Sequence, residues 1–330
     1  MTIRSEIADG APTRLGDLAL RWEVLLLGLL ALVFVVNSLT SPYFLDPYNL
    51  ADSTFNFSEK AIVALPMALL IIGRDIDLSV AAIIALASLA MGFANEAGAP
   101  PAVLVTVGLA VGLGAGLFNG LIVTRFAIPA IVVTIGTMSL YRGIAFVVLG
   151  DQAFTGYPPA FSQLGQGYLW GMIPYEFLVF LALAVIFGIV LHGTTIGRRI
   201  YAIGNNPVAA RFSGIPVDRY RLALFAVTGL MSGLAAVLLT ARIGSTRPNI
   251  ALGWELEVIT MVVLGGVAIM GGSGTIGGVV IAVFLLGMVT FGMGLANIPG
   301  IVMSIVVGAL LILAIATPIM IRRLKAWRQM

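Results

Sequence analysis

The amino-acid sequence predicts an all-α integral membrane protein with about ten transmembrane helices, in which two halves suggest an internal duplication. Sixty per cent of the 330 residues are hydrophobic and only 10% are charged, whereas a soluble domain carries about 25% charged residues. A span needs about 20 apolar residues, so a chain of this length crosses a bilayer about ten times. Segments 24–36 and 279–289 are apolar on every side, which excludes the alternating pattern of a β-barrel.

Apolar runs bounded by Gly, Pro or charged residues predict the individual spans. In order they are 22–40, 58–74, 77–94, 102–124, 128–149, 175–192, 220–241, 255–270, 276–294 and 299–321. Residues 22–321 thus form one predicted transmembrane domain between two short tails, 1–21 and 322–330. Segments 58–149 and 220–321 each hold four runs and a polar or Gly-rich joint, the pattern of duplicated halves in transporters.

The basic residues are distributed unevenly over the two sides of this arrangement. Fourteen of the 18 fall on one side, and only Lys60, Arg142, Arg242 and Arg247 do not. The positive-inside rule therefore places both termini and the loop 192–219 in the cytoplasm. Residues 1–20 are polar and lack a small-residue cleavage site, so we interpret them as a cytoplasmic tail and not a signal peptide.

Several kinds of chemistry are excluded by composition. The chain has no Cys and one His, so the sequence predicts no thiolate metal site and no imidazole catalysis. Neither Lys60 nor Lys325 follows a glycine, so there is no P-loop for ATP. The glycines of 270–278 imitate a dinucleotide fingerprint but lack the preceding strand and the following acidic residue. We expect no cofactor, no nucleic-acid partner and no enzymatic activity in this chain.

Two polar interruptions break the apolar pattern, at 73–79 and at 270–278. The first holds three charges, and we interpret it as a turn in which Arg74 pairs with a carboxylate, with a polar pathway as the alternative. The second is interpreted as a tight turn between helices.

Few polar residues lie within or beside the predicted spans. Uncharged side chains suit a hydroxyl-rich or neutral solute better than an ion. The candidates for the solute pathway are Asp77, Asn119, Thr134, Thr137 and Arg142. Interhelical hydrogen bonds explain the same residues equally well. For Arg142 we favour a side chain that extends to the outer interface over one that lines the pathway.

The longest loop, 192–219, is polar and basic. Pro207 begins a predicted short helix, capped by Asn205 or Asn206, that runs through Val208 to Phe212 and stops at Gly214. Such a helix offers a soluble partner a surface to grip, and a merely solvated connector is the alternative.

Several motifs occur together along the chain. They are Ile76-Asp77-Leu78-Ser79, Phe118-Asn119-Gly120, Val133-Thr134-Ile135-Gly136-Thr137-Met138 with Arg142-Gly143, Gly197-Arg198-Arg199, Ile203-Gly204-Asn205-Asn206, Ala209-Ala210-Arg211-Phe212-Ser213-Gly214-Ile215 and Leu264-Gly265-Gly266. Over residues 22–320 this set resembles the permeases of bacterial monosaccharide ABC importers, the ribose, xylose, rhamnose and autoinducer-2 group. The usual Gly-Gly before the first motif is Arg74-Asp75 here, and the usual Gly after Val80 is Ala81. Together with Phe55-Asn56-Phe57 and Gly244-Ser245-Thr246-Arg247-Pro248, these departures look most like the rhamnose permeases.

The resemblance implies a permease subunit of an ATP-driven sugar importer, with L-rhamnose as the expected sugar. It implies a homo- or heterodimer of permeases in membrane lipid, between a periplasmic sugar-binding protein and cytoplasmic ATPase subunits. The implied coupling residues are Ile203, Gly204, Asn205, Asn206, Ala209, Arg211 and Gly214. Gly204 is expected to permit close approach of the ATPase, and Arg211 to pair with an acidic residue there. The alternative is an ATP-independent secondary transporter or channel for a small neutral solute, which needs a membrane-embedded carboxylate such as Asp75 or Asp77.

Overall fold

The computed structural model describes residues 22–327, so the predicted tail 1–21 lies outside the described residues. Within them the chain is helical almost throughout. The helices are α1 Trp22–Thr40, α2 Pro47–Ser53, α3 Phe55–Ile72, α4 Val80–Glu96, α5 Pro101–Arg125, α6 Ala130–Leu149, α7 Pro159–Gln166, α8 Tyr175–Gly188, α9 Thr195–Asn205, α10 Pro207–Phe212, α11 Val217–Ile243, α12 Trp254–Leu264, α13 Ile276–Leu295 and α14 Gly300–Trp327. A π-helical turn, Ile189–Gly193, continues α8, and a short hairpin of β1 Tyr168–Leu169 and β2 Ile173–Pro174 precedes it.

Seven helical segments within residues 22–327 are long and apolar enough to cross a membrane. They are α1, α2 with α3, α5, α6, α8 with its π turn, α11 and α13. α4, α12 and α14 match the other three predicted runs. Two predicted ends are wrong. Gly265 ends α12 at Leu264, six residues before the predicted end of its span, and α14 continues to Trp327, inside the predicted tail.

Prolines and glycines set many of the helix boundaries. α5 has a proline at its first position, Pro101, and α6 and α8 follow Pro129 and Pro174. Proline suits a helix start because its fixed φ is already helical and its missing N–H has no partner there. α11 ends where Gly244 takes a left-handed conformation, with φ of 69°, which glycine adopts without a Cβ penalty.

The core is arranged around α3, which is buried on nearly all sides. Leu65, Met67 and Leu70 are fully buried, and α8, α11, α12 and α13 pack around the helix. α1 lies at the edge, where Trp22 donates to the carbonyl of Leu264 and Asn37 to that of Met288, at 2.8 and 2.9 Å.

α5 and α11 meet backbone to backbone along a seam of glycines. A Cβ on Gly112 would lie 2.4 Å from the carbonyl oxygen of Gly229, and one on Gly116 would lie 2.3 Å from that of Phe225. Without a hydrophobic force between lipid-embedded helices, small residues of this kind allow the close packing that holds them together.

Two non-helical joints follow α3 and α12: the first joint, Gly73–Ser79, and the second joint, Gly265–Thr275. They begin with the same turn. The amides of Gly73, Arg74 and Asp75 bond to carbonyls four, three and five residues back, and those of 265, 266 and 267 repeat the pattern. This is the Schellman cap, whose left-handed residue is usually glycine. Gly266 occupies that position in the second joint, with φ of 87°, and Arg74 occupies it in the first, with φ of 75°. The shared turn favours duplicated halves. It pairs α3 with α12, whereas the order of runs in the two segments pairs α3 with the run 220–241, one helix earlier.

Both joints lie at the end of the molecule that also carries residues 194–216, which we call the basic end. The opposite end holds the α11–α12 loop and the β1–β2 hairpin.

Candidate functional site: the basic end and the polar interior

At the basic end, α9 and α10 form a small platform. Thr194 caps α9, because its hydroxyl accepts from the amide of Ile196 at 3.1 Å. Asn206 caps α10 in the same way, since its side-chain oxygen accepts from the amides of Val208 and Ala209, both at 3.0 Å. Pro207 is the first residue of α10, and Gly214, at φ of 79°, follows its end. The predicted cap at Asn206, the helix through Phe212 and the stop at Gly214 are confirmed. Helix α9 was missed.

The two faces of α10 differ sharply in exposure. Ala210 is buried against Ile203 and Val217, which brace the helix from below. Val208 and Phe212, four residues apart and therefore on one face, are 61% and 89% exposed. Ala209 and Arg211 are exposed as well. The outer face of α10 is thus an apolar surface with a basic residue beside it.

Gly204 and Asn205 face inward, toward the joints. A Cβ on Gly204 would lie 1.9 Å from the carbonyl oxygen of Ile72 and 2.5 Å from the amide nitrogen of Gly272. Asn205 donates to the carbonyl of Gly272 at 3.3 Å, and the Tyr201 hydroxyl donates to that of Gly274 at 2.6 Å. The missing side chain of Gly204 thus lets the platform pack on the chain's own joints, which the sequence did not predict. The expected close approach of a partner at Gly204 stays a prediction.

The joints also bond to each other. The amide of Gly272 donates to the carbonyl of Ile72 at 2.9 Å, and Arg74 Nε donates to that of Met270 at 2.9 Å. The expected pairing of Arg74 with a carboxylate is wrong, because its guanidinium bonds to a backbone carbonyl. The adjacent Asp75 forms an ion pair, and its partner is Arg221. Asp75 accepts from Nε and Nη2 of Arg221 on α11, at 2.6 and 2.5 Å.

Arg211 pairs with a residue of its own chain. Its Nη2 lies 2.5 Å from Asp218 Oδ1, and both side chains are more than half exposed. Between α10 and the first joint lies a cavity of about 230 Å³ that Arg74, Arg211, Asp75 and Arg221 line. The exposed Arg211–Asp218 pair would compete only weakly with an acidic residue of a partner, because surface ion pairs contribute about 1 kcal/mol or less.

Four of the five candidate pathway residues come together beside the first joint. Asp77 Oδ1 accepts from the amide and the hydroxyl of Ser79, at 2.8 and 2.6 Å. Asn119 on α5 donates to that hydroxyl at 2.8 Å, and Thr134 on α6 donates to the carbonyl of Ile76 at 3.4 Å. Thr137 is one turn further along α6. All four are buried, so in this conformation they hydrogen-bond within the subunit, and their contact with solute stays a prediction.

Arg142 does not join that cluster. Its Nη1 donates to the carbonyls of Pro248 and Ile250, at 2.8 and 2.7 Å, and its Nη2 donates to that of Ala81 at 3.0 Å. The side chain is half-buried. Arg142 thus ties α6 to α4 and to the α11–α12 loop. Both interpretations, a side chain at the outer interface and one that lines the pathway, stay predictions.

Sequence reasoning missed two charged clusters toward the opposite end. Glu59 and Glu176 are fully buried beside the single guanidinium of Arg242, at 2.7 and 3.8 Å from its Nε. Lys60 pairs with Glu257 at 2.5 Å. The signal was present, because charged residues inside or at the edge of an apolar run are costly unless they pair.

Known proteins with similar sequences are membrane permeases. The family described as the permease component of a branched-chain amino acid transport system matches residues 49–315. The autoinducer 2 import system permease protein LsrD of Escherichia coli K12 is 37% identical over 300 residues, which are 89% of this chain and 91% of that protein. The protein of the same name from Photorhabdus laumondii is 35% identical over 89% of this chain and 90% of its own length. No solved structure matches the chain. The chain is therefore a multi-pass membrane protein that belongs to the family of permease components of ABC importers, and it is a transport subunit and not an enzyme.

Proposed function

We propose that this subunit forms the transmembrane path of an ATP-driven importer for a hydroxyl-rich solute in the inner membrane. In this proposal the basic end and both termini are cytoplasmic, and an ATPase subunit docks on the platform. A periplasmic binding protein delivers solute at the opposite end. A second permease subunit, a copy of this chain or a homologue, completes the path within the lipid bilayer.

The observation that carries the proposal is the outer face of α10. Phe212 is 89% exposed and Val208 61% exposed, although both lie near charged residues at the basic end. Large apolar side chains that share one exposed face favour contact with a partner. α9 runs directly into α10, packs on the end of α3 at Ile72 and is hydrogen-bonded to the second joint. We therefore expect a partner that moves α10 to move the ends of α3 and α12 as well.

The solute has two candidates, each supported by a different observation. The motifs of the sequence are most similar to those of rhamnose permeases, which favours L-rhamnose. The similarity to autoinducer 2 import permeases over 89% of the chain favours autoinducer 2. Uptake of labelled L-rhamnose into proteoliposomes that contain the whole complex, with autoinducer 2 as competitor, separates the two. The ATP-independent alternative loses one of its candidate carboxylates, because Asp75 is neutralised by Arg221.

Substitutions on α10 test the proposed docking. We expect Phe212→Ser and Arg211→Glu to reduce co-purification of the ATPase and to abolish solute uptake, because the first removes an apolar contact and the second reverses a charge on the proposed docking face. Neither side chain is part of the buried packing. Membrane insertion and the unfolding temperature should stay unchanged. Gln152→Trp, in an exposed loop at the opposite end, is the control and should leave ATPase binding intact. Wild-type ATPase co-purification and uptake in both α10 variants would show that the platform is only a connector.

A further inference from the structure

A polar cavity opens at the opposite end, between α3, α12, α13 and α14. Its volume is about 410 Å³, within the range of about 300–1,000 Å³ that small-molecule sites occupy. The polar side chains that line it are Asn56, Lys60, Glu257, Thr290 and Ser304, and we call it the Lys60 pocket. A much smaller cavity adjoins it among buried residues, and there Phe57 packs directly on Gly287, where a Cβ would lie 2.3 Å from the ring. Phe57 thus narrows the way inward from the pocket.

The centre of the Lys60 pocket is an ion pair with unused hydrogen-bonding capacity. Lys60 Nζ lies 2.5 Å from Glu257 Oε2 and 5.0 Å from the centre of the Trp254 ring. An ammonium group has three donors and a carboxylate accepts at both oxygens, yet the described residues supply one hydrogen bond between them. The side chains are 16% and 26% exposed, so a small molecule in the pocket can reach them.

The charge balance determines which class of ligand fits. Lys60 and Glu257 cancel, so an anionic lipid headgroup or a free phosphate finds no net attraction here. A neutral molecule that offers donors and acceptors on adjacent carbons matches an ammonium beside a carboxylate. Adjacent hydroxyl groups provide this arrangement, and the hydroxyl of Thr290 and the amide of Asn56 add further partners.

We propose that the Lys60 pocket binds a neutral polyhydroxylated solute of monosaccharide size on the outer side of the subunit. The inference rests on the proposed function, which places this end outside the membrane and has a binding protein deliver such a solute to it. Within the subunit, the pocket provides an entry site before any movement of Phe57 opens the way inward.

The chain allows a direct test, because Lys60 is one of only two lysines and Lys325 is the other. The full-length Lys325→Arg subunit, purified in nanodiscs, is acylated with an amine-directed reagent, and peptide mass spectrometry follows the rate at Lys60. L-Rhamnose and D-ribose are the probes, and glycine betaine, which has no hydroxyl, controls for osmotic effects. A ligand slows acylation by the factor 1 + [L]/Kd, about elevenfold at ten times Kd.

Two matched variants of α12 complete the experiment. We expect Glu257→Gln to abolish the protection, because the acceptor pair is lost. Glu255→Gln, two residues away and outside the pocket, should keep it. The proposal is overturned if neither sugar slows acylation more than betaine does, or if the two variants behave alike. Protection by phosphatidylglycerol nanodiscs relative to phosphatidylcholine, with no sugar effect, would identify a headgroup site instead. The assay needs neither ATPase nor binding protein, so its failure leaves the proposed function standing.

Discussion

Replacing Gly204 by alanine should loosen the platform from both joints. The added Cβ would sit 1.9 Å from the carbonyl oxygen of Ile72, so the two must separate by about 1.5 Å to reach the 3.4 Å of ordinary contact. The same atom would lie 2.5 Å from the amide nitrogen of Gly272, which donates to that carbonyl. All these atoms belong to backbone, so no side-chain rotation relieves the clash.

The expected cost follows from two contributions. Overpacking costs about 1–3 kcal/mol, and a buried backbone pair that loses its hydrogen bond costs about 1–3 kcal/mol more. The free energy of unfolding should therefore fall by about 2–6 kcal/mol, which at about 2–4 °C per kcal/mol corresponds to a decrease of roughly 4–24 °C in unfolding temperature.

The assay is thermal unfolding of the purified subunit, combined with limited trypsin digestion at the arginines of α9. Gly204→Ala should melt earlier and be cut faster at the platform. Gly193→Ala is the control from the same end of the protein, because its Cβ would meet its nearest neighbour at 3.7 Å. A destabilisation of 1 kcal/mol lowers the unfolding temperature by about 2–4 °C. If the unfolding temperatures of Gly204→Ala and Gly193→Ala differ by less than about 1 °C, this account of Gly204 is refuted.

Three further predictions concern charge and orientation. Asp75→Asn should lower the free energy of unfolding by about 2 kcal/mol, less than for a fully buried pair because Arg221 is a quarter exposed; a double-mutant cycle with Arg221→Gln should show coupling, and additive effects would contradict the pair. Arg242→Gln leaves the buried carboxyl groups of Glu59 and Glu176 without this guanidinium, so its unfolding temperature should fall; adding Glu59→Gln should restore part of the loss, and a double variant no more stable than Arg242→Gln would contradict this. Ser213→Cys, in a chain without cysteine, should resist an impermeant thiol reagent added to intact cells, and rapid labelling would reverse the proposed orientation.

Sequence reasoning predicted most of the helices because apolar runs, prolines and glycines act locally. It predicted α10 for the same reason, since Asn206, Pro207 and Gly214 determine their own turns. It missed α9 because a short amphipathic helix within a basic loop lacks the apolar length that marks a span. It placed the end of α12 too late, because the apolar residues of the second joint continue the hydropathic run past Leu264.

The partners of the charged residues were harder to predict, because pairing depends on contacts between distant segments. Arg74 and Asp75 are neighbours in sequence, but a left-handed backbone at Arg74 sends one to Met270 and the other to Arg221. Arg142 satisfies carbonyls more than 100 residues away. The packing of Gly204 was missed for the same reason, since nothing in its local sequence shows that Ile72 and Gly272 lie against it.

α11 is bound to α3 and its joint by an ion pair near each end. Arg221 holds Asp75, just after α3, and Arg242 holds Glu59, in the first turns of α3. The two arginines are 21 positions apart, about 32 Å along a helix. Two helices fastened at both ends cannot slide past each other by a turn without breaking both fastenings, so α3 and α11 behave as a single strut. We therefore expect a tilt imposed at the platform to move the opposite end of α3 and α11 as well, because the two helices move as one rigid body.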